Sequence, residues 1–118
     1  MEKIKVGIIG SGFIAEHHCA SYSQLPYVDI VGVSSLNIDE AKKLTSKYKV
    51  QGEIYPKYQD LLKLDCNAIS VCVPNYLHLK ITTDILRAGK HALVEKPLAI
   101  SVEEGQKMLD IERSSNRN

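Results

Sequence analysis

The sequence predicts a doubly wound α/β fold, a parallel sheet with helices on both faces in three layers. Three observations carry that reading. Strand and helix signals alternate along all 118 residues without repeats or low-complexity linkers. The apolar run of residues 3–9 passes directly into a glycine-rich turn and then a helix pattern. Residues 68–73 are almost continuously apolar, as strands covered on both faces of a parallel sheet are.

Each element has a local reason. Residues 3–9 form the first strand, turned off at Gly10. Ala15, Cys19 and Tyr22 then fall at i, i+4 and i+7, one apolar helix face that ends near Pro26. Residues 28–33 are the second strand. Asn37 offers an N-cap with Glu40 three residues on, and Ala41, Leu44 and Tyr48 make the packing face of a second helix. A short strand near residues 53–55 and a short helix through Leu61 and Leu62 precede the strand at 68–73. Leu77, Ile81, Ile85 and Ala88 stripe the next helix, closed by Gly89. Ala92-Leu93-Val94 reads as a buried strand stopped before Pro97, which cannot donate to a sheet ladder. Ser101 and Glu104 form a capping box for a last helix, after which residues 113–118 are expected to fray. The connection rules for parallel strands give the sheet order 3-2-1-4-5.

Composition excludes several functions. With Lys+Arg 15 against Asp+Glu 14 the net charge is +1, and no basic stripe suits a phosphate backbone, so nucleic acid is not expected as a partner. No stretch approaches the roughly 20 apolar residues that span a bilayer, and the N-terminal apolar run is too short and interrupted for a signal peptide. No membrane association is expected. Cys19, Cys66 and Cys72 are odd in number and lie in no C-x-x-C pattern, which argues against a disulfide or zinc site and fits a cytoplasmic location. Apolar residues at 44% and charged residues at 25% suit one soluble domain with little core to spare.

The chemistry lies where strands end. Gly10-Ser11-Gly12-Phe13-Ile14-Ala15 is a G-x-G-x-x-[GA] fingerprint of the Rossmann type. Gly10 allows the sharp turn, Gly12 lets bare backbone approach a pyrophosphate, and Ala15 lets the helix lie close to the sheet. The N-terminal amides of that helix, around Ser11, Phe13 and Ile14, would face the phosphates. An acid usually follows about 20 residues later to hold the adenosine ribose. Here Ser35 occupies that place, followed by Leu36 and Asn37. Ser35 and Asn37 could donate to a 2′-phosphate that an acid would repel, so the expected cofactor, NAD or NADP, leans toward NADP. The same two residues also suit the start of a helix for local reasons.

Two further blocks follow apolar strands: Pro74-Asn75-Tyr76-Leu77-His78, and residues 88–99 with Glu95-Lys96-Pro97 at their centre. Together with the glycine loop, and in the same order and spacing, these resemble the Gfo/Idh/MocA family of NAD(P)-dependent oxidoreductases over nearly all of the chain. The resemblance implies a dinucleotide-binding domain over residues 1–112. It implies hydride transfer between nicotinamide and a sugar, polyol or related hydroxy or carbonyl substrate. A second domain that holds the substrate in the family is not present in this chain, so the isolated 118 residues are expected to be inactive and, with that face uncovered, to self-associate. Pro74 is expected under the cofactor, Asn75 and His78 beside it, and Glu95 by the nicotinamide ribose. The catalytic expectation falls on Lys96, whose ammonium would stabilise charge on the substrate oxygen. A cis Lys96–Pro97 bond is implied too. Read from the residues alone, Asn75 could instead cap a helix and His78 be a partly buried structural residue, while His17 and His18 are read as surface or packing residues with no metal spacing. The alternative function is a non-enzymatic nucleotide-binding sensor of the same fold, which would have no need of Lys96.

Overall fold

The computed structural model describes residues 2–118. Its elements run β1 Ile4–Ile9, α1 Phe13–Ser23, β2 Val28–Ser34, α2 Ile38–Lys47, β3 Ile54–Tyr55, α3 Tyr58–Leu61, β4 Ala68–Val71, α4 His78–Arg87, β5 His91–Val94 and α5 Val102–Ser115. The strands form one sheet in the order β3-β2-β1-β4-β5, and every neighbouring pair is parallel. Order and direction are those the sequence predicts. No helix among the described residues is long and apolar enough to cross a membrane.

Alternation along the strands sends apolar side chains to both faces, which builds two cores. On one, Val6, Ile8, Ile30 and Val33 meet Ala15 and Cys19 of α1 and Ala41 and Leu44 of α2. On the other, Ile9, Ile69 and Val71 meet Leu61 of α3 and Ile81 and Ile85 of α4. Each fully buried Ile or Leu contributes about 1.5–3 kcal/mol, so these layers hold the sheet. Helix α5 rests on α4 and buries only Met108.

The local stops act as expected. Asn37 caps α2 by accepting from the Glu40 N–H at 3.1 Å, and Ser101 caps α5 by accepting from the Glu104 N–H at 3.1 Å. Gly89 ends α4 at a φ of +79°, which favours glycine.

One expectation fails. Strand β5 is not buried: it is the edge of the sheet, and Leu93 is 54% exposed. Helix α5 continues to Ser115, Arg117 Nε donates to the Gly89 carbonyl at 2.7 Å, and the Ala92 N–H donates to the Asn118 carbonyl at 2.6 Å. Backbone pairing along the open side of β5 holds the tail, a non-local cause that polar composition does not reveal.

Candidate functional site

All strands point the same way, so their carboxyl ends gather at one edge of the sheet, and there the loops after β1, β2 and β4 enclose a cleft of about 690 Å³. That volume is in the range of small-molecule and cofactor sites. Gly10, Ser11, Gly12, Ser35, Asn37 and Pro74 line it, with Leu36, Tyr76 and Leu77 supplying apolar surface.

The two loop glycines have different reasons. Gly10 sits at φ +113°, and a Cβ there would overlap the carbonyl of Cys72 at the end of β4. Its N–H donates to the Ser34 carbonyl at 2.8 Å, which ties the loop to β2. A Cβ at Gly12 would meet nothing within 4 Å. Gly12 is the N-cap residue of α1 and no side chain caps that helix. The first amides of α1 therefore open on the cleft with the positive end of the helix dipole behind them, an arrangement that suits a phosphate. Phe13 and Ile14 are exposed at this end, while Ala15 is fully buried against the sheet as the fingerprint requires.

Beside the glycine loop lies a hydrogen-bonded row. Ser11 Oγ donates to Glu40 Oε1 at 2.7 Å and lies 2.6 Å from Ser35 Oγ, which in turn accepts from the Asn37 N–H at 3.0 Å. Ser35 and Asn37 both line the cleft. Glu40, read from the sequence only as part of a capping box, brings a carboxylate into the cleft beside Ser11 and Ser35.

The other blocks diverge from expectation in part. Asn75 starts a 3-10 turn over Asn75–Leu77, and no side chain caps α4, so its capping role is not observed. His78 is 1% exposed. Its Nδ1 lies 2.9 Å from the Pro97 carbonyl and 3.2 Å from that of Leu98, and its Nε2 lies 3.0 Å from the Val73 carbonyl. A neutral imidazole carries one N–H, so the ring donates to the carbonyl on one side only while it packs between the loops after β4 and β5, and it is not among the residues lining the cleft. The Lys96–Pro97 bond is cis, and Lys96 is exposed beyond the end of β5.

Glu95 continues the sheet ladder, its N–H reaching the Val71 carbonyl at 3.3 Å. Its Oε1 lies 2.6 Å from His18 Nε2 on α1. His18 is thus no mere packing residue, whereas exposed His17 only edges against Phe13. The hydrogen bond from His18 is the main cause that holds the Glu95 carboxyl below the usual carboxylate range, against the raising effect of burial. The glycine-loop helix and the end of β5 are joined through this pair. Nearby, burial and then the Glu95 charge push the Cys72 thiol up to about 12, so it is no nucleophile at neutral pH. Asn75, Glu95 and Lys96 are not part of the cleft lining; they stand past it along the same sheet edge.

An uncapped helix start on a glycine turn, at the carboxyl edge of a doubly wound sheet, defines a dinucleotide-binding domain. Residues 4–118 match the model of the oxidoreductase family with an NAD-binding Rossmann fold, GFO_IDH_MocA, and the chain belongs to that family. Inositol 2-dehydrogenase of Klebsiella pneumoniae (strain 342) is 34% identical over 116 residues, 97% of this chain and 34% of that protein. A 3-ketoreductase from Actinomadura kijaniata, solved with NADP, superposes with a TM-score of 0.89 at 30% identity over 98% of this chain and 37% of its own. A levoglucosan dehydrogenase solved with NADH gives a TM-score of 0.90 at 25% identity over 98% of this chain and 33% of its own. The chain spans about a third of the length of the curated relatives it matches.

Proposed function

We propose that this chain is the cofactor-binding part of an oxidoreductase that moves a hydride between nicotinamide and a sugar, polyol or related hydroxy or carbonyl substrate. The observation that carries the reading is the uncapped start of α1, with Gly12 open to the cleft at the sheet's carboxyl edge. The dinucleotide supplies the hydride donor or acceptor. In this reading the amides of Gly12, Phe13 and Ile14 hold the pyrophosphate, Ser11, Ser35 and Asn37 meet the ribose side, and Pro74 supports the cofactor with Asn75 beside it. Glu95, fixed by His18, meets the nicotinamide ribose, and the Lys96 ammonium holds the substrate oxygen and stabilises charge that develops on it. Relatives named for inositol and sugar oxidation support the substrate class.

Calorimetric titration of the chain with NAD, NADP and ADP-ribose tests the cofactor reading. Local backbone and the helix dipole fix the phosphate site, so ADP-ribose is expected to bind within about tenfold of the better dinucleotide, a difference of roughly 1.4 kcal/mol. Absence of binding by all three would refute it.

We also propose that the chain self-associates. Leu93 on the edge strand is 54% exposed, and Leu98 and Ile100 just beyond it are 47% and 55% exposed, apolar surface that a solitary domain seldom leaves to water. Sedimentation is expected to show concentration-dependent mass, and a strict monomer at high concentration would refute this.

A further inference from the structure

Glu40 has left the place its position assigns it. It is the third residue of α2, and a capping box would fold its carboxylate back onto the Asn37 N–H. Half of the box is present, since Asn37 Oδ1 accepts from the Glu40 N–H. The other half is not: the Asn37 N–H goes to Ser35 Oγ, and the Glu40 carboxylate crosses 29 positions of sequence to Ser11 in the glycine loop.

The proton count along this row is fixed. Ser11 has one hydroxyl proton and gives it to Glu40 Oε1 at 2.7 Å. The 2.6 Å contact between Ser11 Oγ and Ser35 Oγ then needs Ser35 as its donor. Ser35's only proton is thereby used, the longer 3.3 Å approach to the Asn37 carbonyl is left without one, and Ser35 Oγ accepts from the Asn37 N–H. Every bond in the row points toward the Glu40 carboxylate. To an incoming group the row therefore presents acceptors and negative charge. A ribose hydroxyl has a proton to give to such a surface, and a phosphate does not. Two cations, Lys57 and Lys80, line the same cleft; Lys80 is paired with Asp84 at 3.4 Å, and neither is bonded to the row, so the charge standing on the row itself is that of Glu40.

We propose that Glu40 sets the choice at the adenosine end: its carboxylate takes the hydroxyls of an unphosphorylated ribose and repels a 2′-phosphate, so the site prefers NAD to NADP. This rests on the dinucleotide reading of the cleft, and it replaces the acid missing at Ser35 with one supplied from the next helix.

The test is titration of the full chain and of its Glu40→Gln variant with NAD and with NADP. Gln keeps an acceptor for Ser11 and removes the charge. The unmodified chain is expected to bind NAD about tenfold tighter or more, and Glu40→Gln to narrow that ratio by about tenfold through better NADP binding, the scale of one well-solvated like-charge contact at about 4 Å. Equal or tighter NADP binding in the unmodified chain, or a ratio unmoved by the substitution, overturns the proposal. If the variant fails to fold, the salt dependence of the unmodified chain decides. The preference should shrink from low to high ionic strength because exposed like charges are screened, and a preference indifferent to salt overturns it. Binding of neither dinucleotide overturns the cofactor reading and this proposal together, whereas binding without an NAD preference removes only the role of Glu40.

Discussion

Lys96→Ala, made in the full gene product, is expected to lower kcat by about 10²–10³ while changing the affinity for dinucleotide by no more than a factor of about two, because one positioned proton or charge partner is worth that much in the transition state. The reasons are its exposed place beyond β5, next to a Glu95 that is held from the other side by His18. Steady-state turnover with the preferred cofactor, set beside a cofactor titration, separates the two effects. Equal losses in cofactor affinity and rate would reassign Lys96 to binding, and an unchanged kcat would remove it from the chemistry. By the same reasoning the 118 residues alone are expected to show no turnover on any sugar or polyol, since charge stabilisation acts only on a substrate held in register. Measurable turnover would contradict this.

Gly12→Val is expected to melt within a few degrees of the unmodified chain yet lose at least about a hundredfold in dinucleotide affinity, since a poorer N-cap costs about 1 kcal/mol while the new side chain fills the phosphate approach. The fold tolerates it because nothing within 4 Å meets the new Cβ. Gly10→Val should behave in the opposite way. Its φ of +113° and the overlap of a Cβ with the Cys72 carbonyl leave no relaxed conformation, and the cost is expected to be about 3 kcal/mol or more of stability. Thermal melts and titration of both variants check the pair. A Gly12→Val chain that binds normally would sink the pyrophosphate assignment, and a Gly10→Val chain of normal stability would sink the structural one.

This contrast between local and remote causes also explains what could be read in the chain. The caps at Asn37, Ser101 and Gly89, the two apolar faces of the strands and the sheet order all follow from residues a few positions apart or from general connection rules, and they stand where the sequence predicts. What escaped is non-local. His18 and Glu95 are 77 positions apart, and nothing in the pattern around His18 announces a carboxylate partner. Glu40 is a case of a correct local pattern with a different outcome, because the Ser11 hydroxyl outcompetes the helix's own N–H for its carboxylate. The apolar run in β5 resembles a buried strand, yet burial depends on what lies beside a strand, which the run itself does not encode. A single acid on a helix start and a single His on an apolar face were the only available signals, and both have common structural explanations.

The buried His78 ring packs between the Val73 carbonyl on one side and those of Pro97 and Leu98 on the other, and its single N–H donates to one of them. The loops after β4 and β5 are therefore coupled in length. One residue added to or taken from either loop would draw a carbonyl off the imidazole and leave a buried polar group without a partner, at about 1–3 kcal/mol. Variation in this part of the molecule is thus confined to exchanges of side chain, with the chain spacing from Val73 to His78 and from Val94 to Leu98 held constant.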